Sequence, residues 1–150
     1  MIVLDAYALI ALLADEPAAD EVGRLIAGTR TTVAAPNLAE AADRLGRIHG
    51  IAVERTRSVV ESLQQSTDLH LRAVDAKDAW RAAELRVAHY HRTRRPLSLG
   101  DCLLLAITTE QDQLATSDPH VLAIAEAERI GWIDLPDSQG HRHLPSRDSQ

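Results

Sequence analysis

The sequence predicts an α/β domain, with a short parallel central sheet of four to five strands flanked by helices on both faces. Three observations carry that expectation. Short, wholly apolar runs such as Ile2-Val3-Leu4 fit strands covered on both sides. Such runs alternate with amphipathic stretches long enough to serve as helical crossovers. The chain has 150 residues and an apolar fraction of 45%, which suits one domain with a substantial core.

Along the chain, Ile2 to Leu4 is the first strand and stops at Asp5. Ala6 to Ala14 is apolar and helical, and Asp15-Glu16-Pro17 punctuates it. Ala18 to Ala27 is a second helix with Val22, Leu25 and Ile26 on one face. Thr31 to Ala34 is a second strand, and Asn37 to Ile48 a helix with Leu38, Ala41, Leu45 and Ile48 in register. Gly50 ends that helix. Ala52 to Gln65 is helical, Leu69 to Val74 a third strand, and Asp75 to about His91 a long helix. A basic connection, Arg92-Thr93-Arg94-Arg95-Pro96, leads to a nearly all-apolar helix over Asp101 to Thr109. Gln113 to Thr116 is a fourth strand, a helix follows from Pro119, and Trp132 to Leu135 is a possible last strand. Residues 1–135 read as one domain. Gly, Pro, Ser and His dominate from Pro136, so 136–150 is expected to be a disordered tail.

Composition narrows the function classes. No apolar run reaches the roughly 20 residues of a membrane span, and the opening Met-Ile-Val-Leu-Asp lacks the basic stretch of a signal peptide. One cysteine, Cys102, excludes an internal disulfide framework and a cysteine-rich zinc site. A cytoplasmic location is the expectation. The net charge of −6 disfavours a general nucleic-acid binder, although two divalent cations would bring it to about −2 at one spot. Fifteen of the sixteen basic residues are Arg, whose planar fork suits phosphate; biased codon usage explains that equally well. With no Phe, a base-stacking platform is not expected, and Trp80 and Trp132 read as packing residues.

Chemistry concentrates in four acids, Asp5, Glu40, Asp101 and Asp118, each at the first turn of a predicted helix. Capping explains each of them singly. Asp5 can cap the helix from Ala6, and Asp118 stands before Pro119. Asn37 with Glu40, and Ser98 with Asp101, have capping-box spacing, while Glu40 can also pair with Arg44. Topology favours convergence for three of the four. In a parallel sheet, helices start at the carboxyl ends of strands, where binding sites lie, and Asp5, Glu40 and Asp118 follow predicted strands closely. Asp101 follows a loop. Clustered carboxylates repel by about 3–4 kcal/mol per pair at an effective dielectric near 20, so such a group protonates, leans on helix N-termini or holds cations. Oxygen ligands without His or Cys select Mg²⁺, with Mn²⁺ a plausible substitute.

These stretches resemble a known family. Ile-Val-Leu-Asp5-Ala-Tyr-Ala-Leu-Ile looks like the opening of a PIN-domain ribonuclease. Asn37-Leu38-Ala39-Glu40-Ala41, Leu97-Ser98-Leu99-Gly100-Asp101-Cys102 and Leu114-Ala115-Thr116-Ser117-Asp118-Pro119 resemble its later acidic motifs. Length and layout resemble the VapC toxins of type II toxin–antitoxin pairs. The resemblance implies a three-layer PIN-like fold and a Mg²⁺-dependent endoribonuclease acting on structured RNA such as tRNA. Asp5, Glu40, Asp101 and Asp118 would be the metal-binding catalytic acids. A homodimer neutralised by a cognate antitoxin is also implied. Many relatives carry Ser, Thr or Asn within two residues of the first Asp; here Ala6 and Tyr7 follow, so Tyr7, Thr116 or Ser117 must supply any nearby hydroxyl. Arg92, Arg94 and Arg95 are candidate RNA-binding residues, with Thr116 and Ser117, against the plainer reading of a solvated helix end. Two other readings remain: an inactive PIN-like binding module, and a phosphotransferase with Asp5 as nucleophile. The latter would want an Asp at position 7 and a nearby lysine, and Lys77 is the only lysine.

Overall fold

The computed structural model describes residues 1–143. Its elements run β1 (Ile2–Leu4), α1 (Ala6–Ala14), α2 (Ala19–Gly28), β2 (Thr31–Ala34), α3 (Ala35–His49) and α4 (Val53–Ser66). The second half runs β3 (Leu69–Arg72), α5 (Ala76–His89), α6 (Leu99–Ile107), β4 (Gln113–Thr116), α7 (Pro119–Ala127) and β5 (Gly131–Asp134). The five strands form one sheet in the order β3-β2-β1-β4-β5, parallel throughout. This is the α/β architecture the sequence predicts.

The sheet is a middle layer because its strands are apolar on both faces. Ile2 and Leu4 pack with α1, α2 and α3 on one side, while Val3 packs with α5, α6 and α7 on the other. That division follows from the two-residue side-chain period of a strand. The core on the first side includes Leu9, Ile10, Val22 and Leu45; on the second it includes Leu85, Leu104, Leu105 and Ile124. Cys102 is buried in this second core, as expected of a small apolar residue. Gly50 closes α3 in the left-handed conformation, at φ 67°.

The chain leaves β1 toward β2 on one side and enters β4 on the other, so the strand order reverses between β1 and β4. Such a reversal opens a crevice outside the carboxyl ends of the strands. The register fixes its floor: Leu4 pairs with both Val33 and Ala115, and the Asp5 N–H donates to the Ala115 carbonyl at 3.2 Å.

Three expectations need correction. Helix α3 begins at Ala35, with Pro36 in its first turn and Ala34 at the N-cap, so Asn37 caps nothing and the Asn37–Glu40 capping box does not form. Proline's fixed φ suits the first helical turn, and it starts the helix two residues earlier than the polar Asn suggests. Trp80 is not a packing residue: it is 75% exposed on α5, whereas Trp132 is partly buried against the second core. The segment 136–143 is hydrogen-bonded rather than loose. Arg142 donates to the Asp134 carbonyl and pairs with Glu21 at 2.5 Å. The Asp137 carboxylate accepts from the Gln139 and His141 N–H groups, and the Tyr7 hydroxyl donates to the Pro136 carbonyl at 3.0 Å. The remaining part of the expected tail, 144–150, lies outside the described residues. Among the described residues no helix is long and apolar enough to cross a membrane.

Candidate active site

Four elements deliver the four acids to one cleft of about 430 Å³ at the carboxyl edge of the sheet. Asp5 ends β1, Glu40 lies in the second turn of α3, Asp101 in the first turn of α6, and Asp118 leads from β4 into α7. Strand order carries three of them there. Asp101, which strand order does not place, arrives because α6 packs on α5 and against α3, bringing its N-terminus to the same edge.

Capping and convergence turn out to be the same fact. The Asp5 Oδ1 accepts from the Ala8 N–H at 2.7 Å, and the Asp118 Oδ1 accepts from His120 at 2.7 Å and Val121 at 3.3 Å. Asp101 completes a capping box with Ser98: its Oδ2 accepts from the Ser98 N–H at 2.9 Å and from the Ser98 hydroxyl at 2.8 Å. Glu40 caps nothing. It is half-exposed at the rim, 3.8 Å from Arg44 one turn on, and its Oε2 lies 3.4 Å from where a Cβ on Gly100 would stand.

Asp5 is the electrostatic centre. It is 8% exposed, and burial pushes its carboxyl from the ordinary range up to about 7. Hydrogen bonds from Thr116 and Ala8 oppose that rise, while the neighbouring Asp101 and Asp118 add to it. The Thr116 hydroxyl donates to Asp5 Oδ2 at 2.5 Å and accepts from the Asp118 N–H at 3.1 Å. It is the hydroxyl beside the first acid that Ala6 and Tyr7 do not provide. The Glu40 carboxyl is also raised, by burial first and then by Asp101, with Arg44 opposing.

Oxygen donors in a negative field suit a hard divalent cation in type and charge. The acids line the cleft rather than meet at a point: among the described residues no three His, Cys, Asp or Glu side chains form a closed ligand group. Asp5, Asp101 and Asp118 are each held by a cap, and Glu40 by Arg44.

The cleft has basic residues other than the three arginines named from the sequence. Arg92, Arg94 and Arg95 do not line it; they sit on an exposed turn closed by His91 and Arg95. Arg44 and His49 line it instead, from α3. His49 stands 3.5 Å from Glu16, another cleft residue. Arg44, four residues after Glu40, returns to the same helix face and was the available signal; His49, at the last residue of α3, had no such signal. Ser117 lines the cleft and Thr116 lies buried beneath it. Asn37 lines it as well, with its side chain buried. Position 7 offers a tyrosine bound elsewhere and no lysine lines the cleft, which removes the support for a phosphotransferase.

Comparison with known proteins gives the same frame. Residues 2–130 match the sequence profile of the PIN domain. No curated protein matches the sequence significantly. Among solved structures, a toxin–antitoxin complex from Klebsiella pneumoniae contains a similar chain, at 16% identity and TM-score 0.61, over 82% of this chain and 91% of the other. VapBC2 from Rickettsia felis, bound to a DNA fragment from its promoter, is 14% identical with TM-score 0.62, over 89% and 98%. FitAcB from Neisseria gonorrhoeae is 16% identical with TM-score 0.59, over 89% and 97%. At such identities the likeness speaks for the fold alone. On the profile match across most of its length, the chain belongs to the PIN domain family.

Proposed function

We propose that this protein is a Mg²⁺-dependent endoribonuclease and the toxin of a type II toxin–antitoxin pair, cleaving structured RNA such as tRNA. The observation that carries the proposal is the cleft itself: four acids from four separate elements, with the most buried of them, Asp5, at the switch point of the sheet. Asp5, Glu40, Asp101 and Asp118 would hold the cation, which would acidify a water and neutralise charge on the phosphate. The chain's own groups do the rest. Thr116 holds the Asp5 carboxylate, and the N-termini of α1 and α7 favour negative charge at Asp5 and Asp118. Arg44, His49 and Ser117 are the cleft's donors for phosphates flanking the scissile one.

The test is cleavage of total RNA by the purified protein with Mg²⁺ and with EDTA. Cleavage lost in EDTA, restored by Mg²⁺ or Mn²⁺, and absent in Asp101→Asn is the expected result. Cleavage indifferent to EDTA sinks the metal mechanism. No cleavage of any RNA by a folded, cation-binding protein favours an inactive binding module.

The similar chains named above come from toxin–antitoxin assemblies, which supports a cognate antitoxin as partner here. Self-association has its own support on α5. Trp80, Ala83, Val87 and Tyr90 recur at helical spacing and are exposed, with exposed Leu99 of α6 beside Val87 and Tyr90. A continuous apolar stripe of this kind marks an association surface. Val87 is 89% exposed, so Val87→Glu leaves the fold intact. Light scattering is expected to find a wild-type dimer and a Val87→Glu monomer of equal melting temperature. A monomeric wild type refutes the dimer.

A further inference from the structure

Asn37 has no structural occupation. It lies in the third position of α3, whose start is set by Pro36 and whose N-cap is Ala34, so its amide caps no backbone group. Asparagine is only a moderate helix former, so the helix gains nothing from it there. Its side chain is 1% exposed, lines the cleft, and its Oδ1 has no hydrogen-bond partner. A buried polar atom without a partner destabilises a fold, and native proteins rarely keep one without a use. Thr31 and Thr56 also carry buried, unpartnered oxygens, but neither faces this cleft. Glu16 does, and its other oxygen engages His49.

Position and charge say what the amide suits. Asn37 and Glu40 are three apart on one helix, so their side chains share a face, and that face looks toward Asp5 and Asp101 across the cleft. An amide oxygen is as hard a ligand as a carboxylate and adds no charge. In a cleft where Asp101 already raises both Asp5 and Glu40, a fifth carboxylate would deepen the repulsion, whereas a carboxamide adds an acceptor without doing so.

We propose that the Asn37 carboxamide oxygen is a neutral oxygen acceptor for the hydrated divalent cation, completing the site formed by the four acids. The inference rests on the cation-site reading above and adds to the four acids a neutral residue, three positions before Glu40 in the second acidic motif. It is tested by calorimetric titration with Mn²⁺ of wild type, Asn37→Leu, Asn37→Asp and Asp5→Asn, with melting temperatures taken in EDTA. Leucine has nearly the volume of asparagine and removes the unpartnered atom, so Asn37→Leu is expected to melt no lower than wild type without metal. Its Mn²⁺ affinity is expected to fall about 10- to 100-fold, the usual effect of losing a supporting ligand. Asn37→Asp keeps an oxygen and is expected to bind within a few-fold of wild type at pH 8. An unchanged affinity in Asn37→Leu overturns the inference, and so does a loss in Asn37→Asp as large as that in Asn37→Leu. Should Asn37→Leu not fold, Asn37→Thr is judged by the same criterion of affinity relative to metal-free stability. A wild type that binds Mn²⁺ and cleaves no RNA removes the proposed function and leaves this inference to be decided by the affinities. A wild type that binds no Mn²⁺ overturns it.

Discussion

Asp5→Asn is expected to lower RNA cleavage by about 10³-fold while making the metal-free protein more stable at neutral and higher pH. The two effects have one cause. Burial holds the Asp5 carboxyl up at about 7, from 3.8 for the free side chain. The folded state therefore binds this proton more tightly than the unfolded state. That preference favours folding fully below the unfolded value and is lost as pH rises through about 7. Above pH 7 the metal-free protein carries an ionised carboxylate at a buried site beside Asp101 and Asp118, at a cost of up to a few kcal/mol. Asparagine is never ionised, and its carbonyl can still accept from Ala8. Its NH₂ can donate to the Thr116 hydroxyl. The melting temperature of Asp5→Asn in EDTA should therefore exceed that of wild type at pH 8, and the gap should close toward pH 4. Mg²⁺ should reverse the order, because only wild type gains stability from the cation. The activity loss corresponds to about 4 kcal/mol, the scale of removing one partner from a buried charge pair. Undiminished cleavage, or a variant less stable than wild type in EDTA at pH 8, would falsify this account of Asp5.

The sequence could be read furthest where local and long-range signals agree. Ile2-Val3-Leu4 is apolar on both faces because the sheet is covered on both, and it becomes the central strand. Asp5, Asp118 and the Ser98–Asp101 box were legible as caps because the capping residue and its target lie within three positions. Convergence was legible for acids that follow strands, since topology orients every strand end alike. It was not legible for Asp101, whose arrival depends on how α6 packs across α5 and α3. Asn37 misled because its residue type says N-cap, while Pro36 decides where α3 begins. Arg44 and His49 were overshadowed by Arg92, Arg94 and Arg95. A basic run stands out in a sequence, whereas Arg44, one turn after Glu40, and His49, at the last residue of α3, become cleft residues only once the packing around that helix is known.

These particulars change what a cap means here. Each capped acid is held by N–H groups it shares with no other acid, so the site is a set of restrained carboxylates at helix N-termini. Restraint of this kind reduces the rearrangement a cation must induce, because three of the four side chains are already at the cleft in fixed orientations. Glu40, held only by Arg44 at the rim, has the most freedom to move.

Thr116→Val is expected to cut cleavage at pH 7 by about 10- to 100-fold, and the defect should shrink as pH rises. Thr116 is fully buried, and among the described residues its hydroxyl is the only side-chain donor to the Asp5 carboxylate. Valine conserves shape and removes that donor. A hydrogen bond to a charged group contributes about 1.5–3 kcal/mol, equivalent to one or two pH units. Asp5, already raised to about 7, moves higher, and less of it is ionised at neutral pH. The acidic limb of the rate profile should therefore shift upward at sub-saturating Mg²⁺. Saturating Mg²⁺ should narrow the gap, because the cation favours the same ionised form that the hydroxyl favours. The Asp118 N–H also loses its acceptor, so a modest fall in melting temperature accompanies the change. Thr116→Ser keeps the hydroxyl and should restore both rate and profile. A defect equal at every pH, or one that serine does not repair, would mean that Thr116 supports the packing of β4 rather than the charge of Asp5.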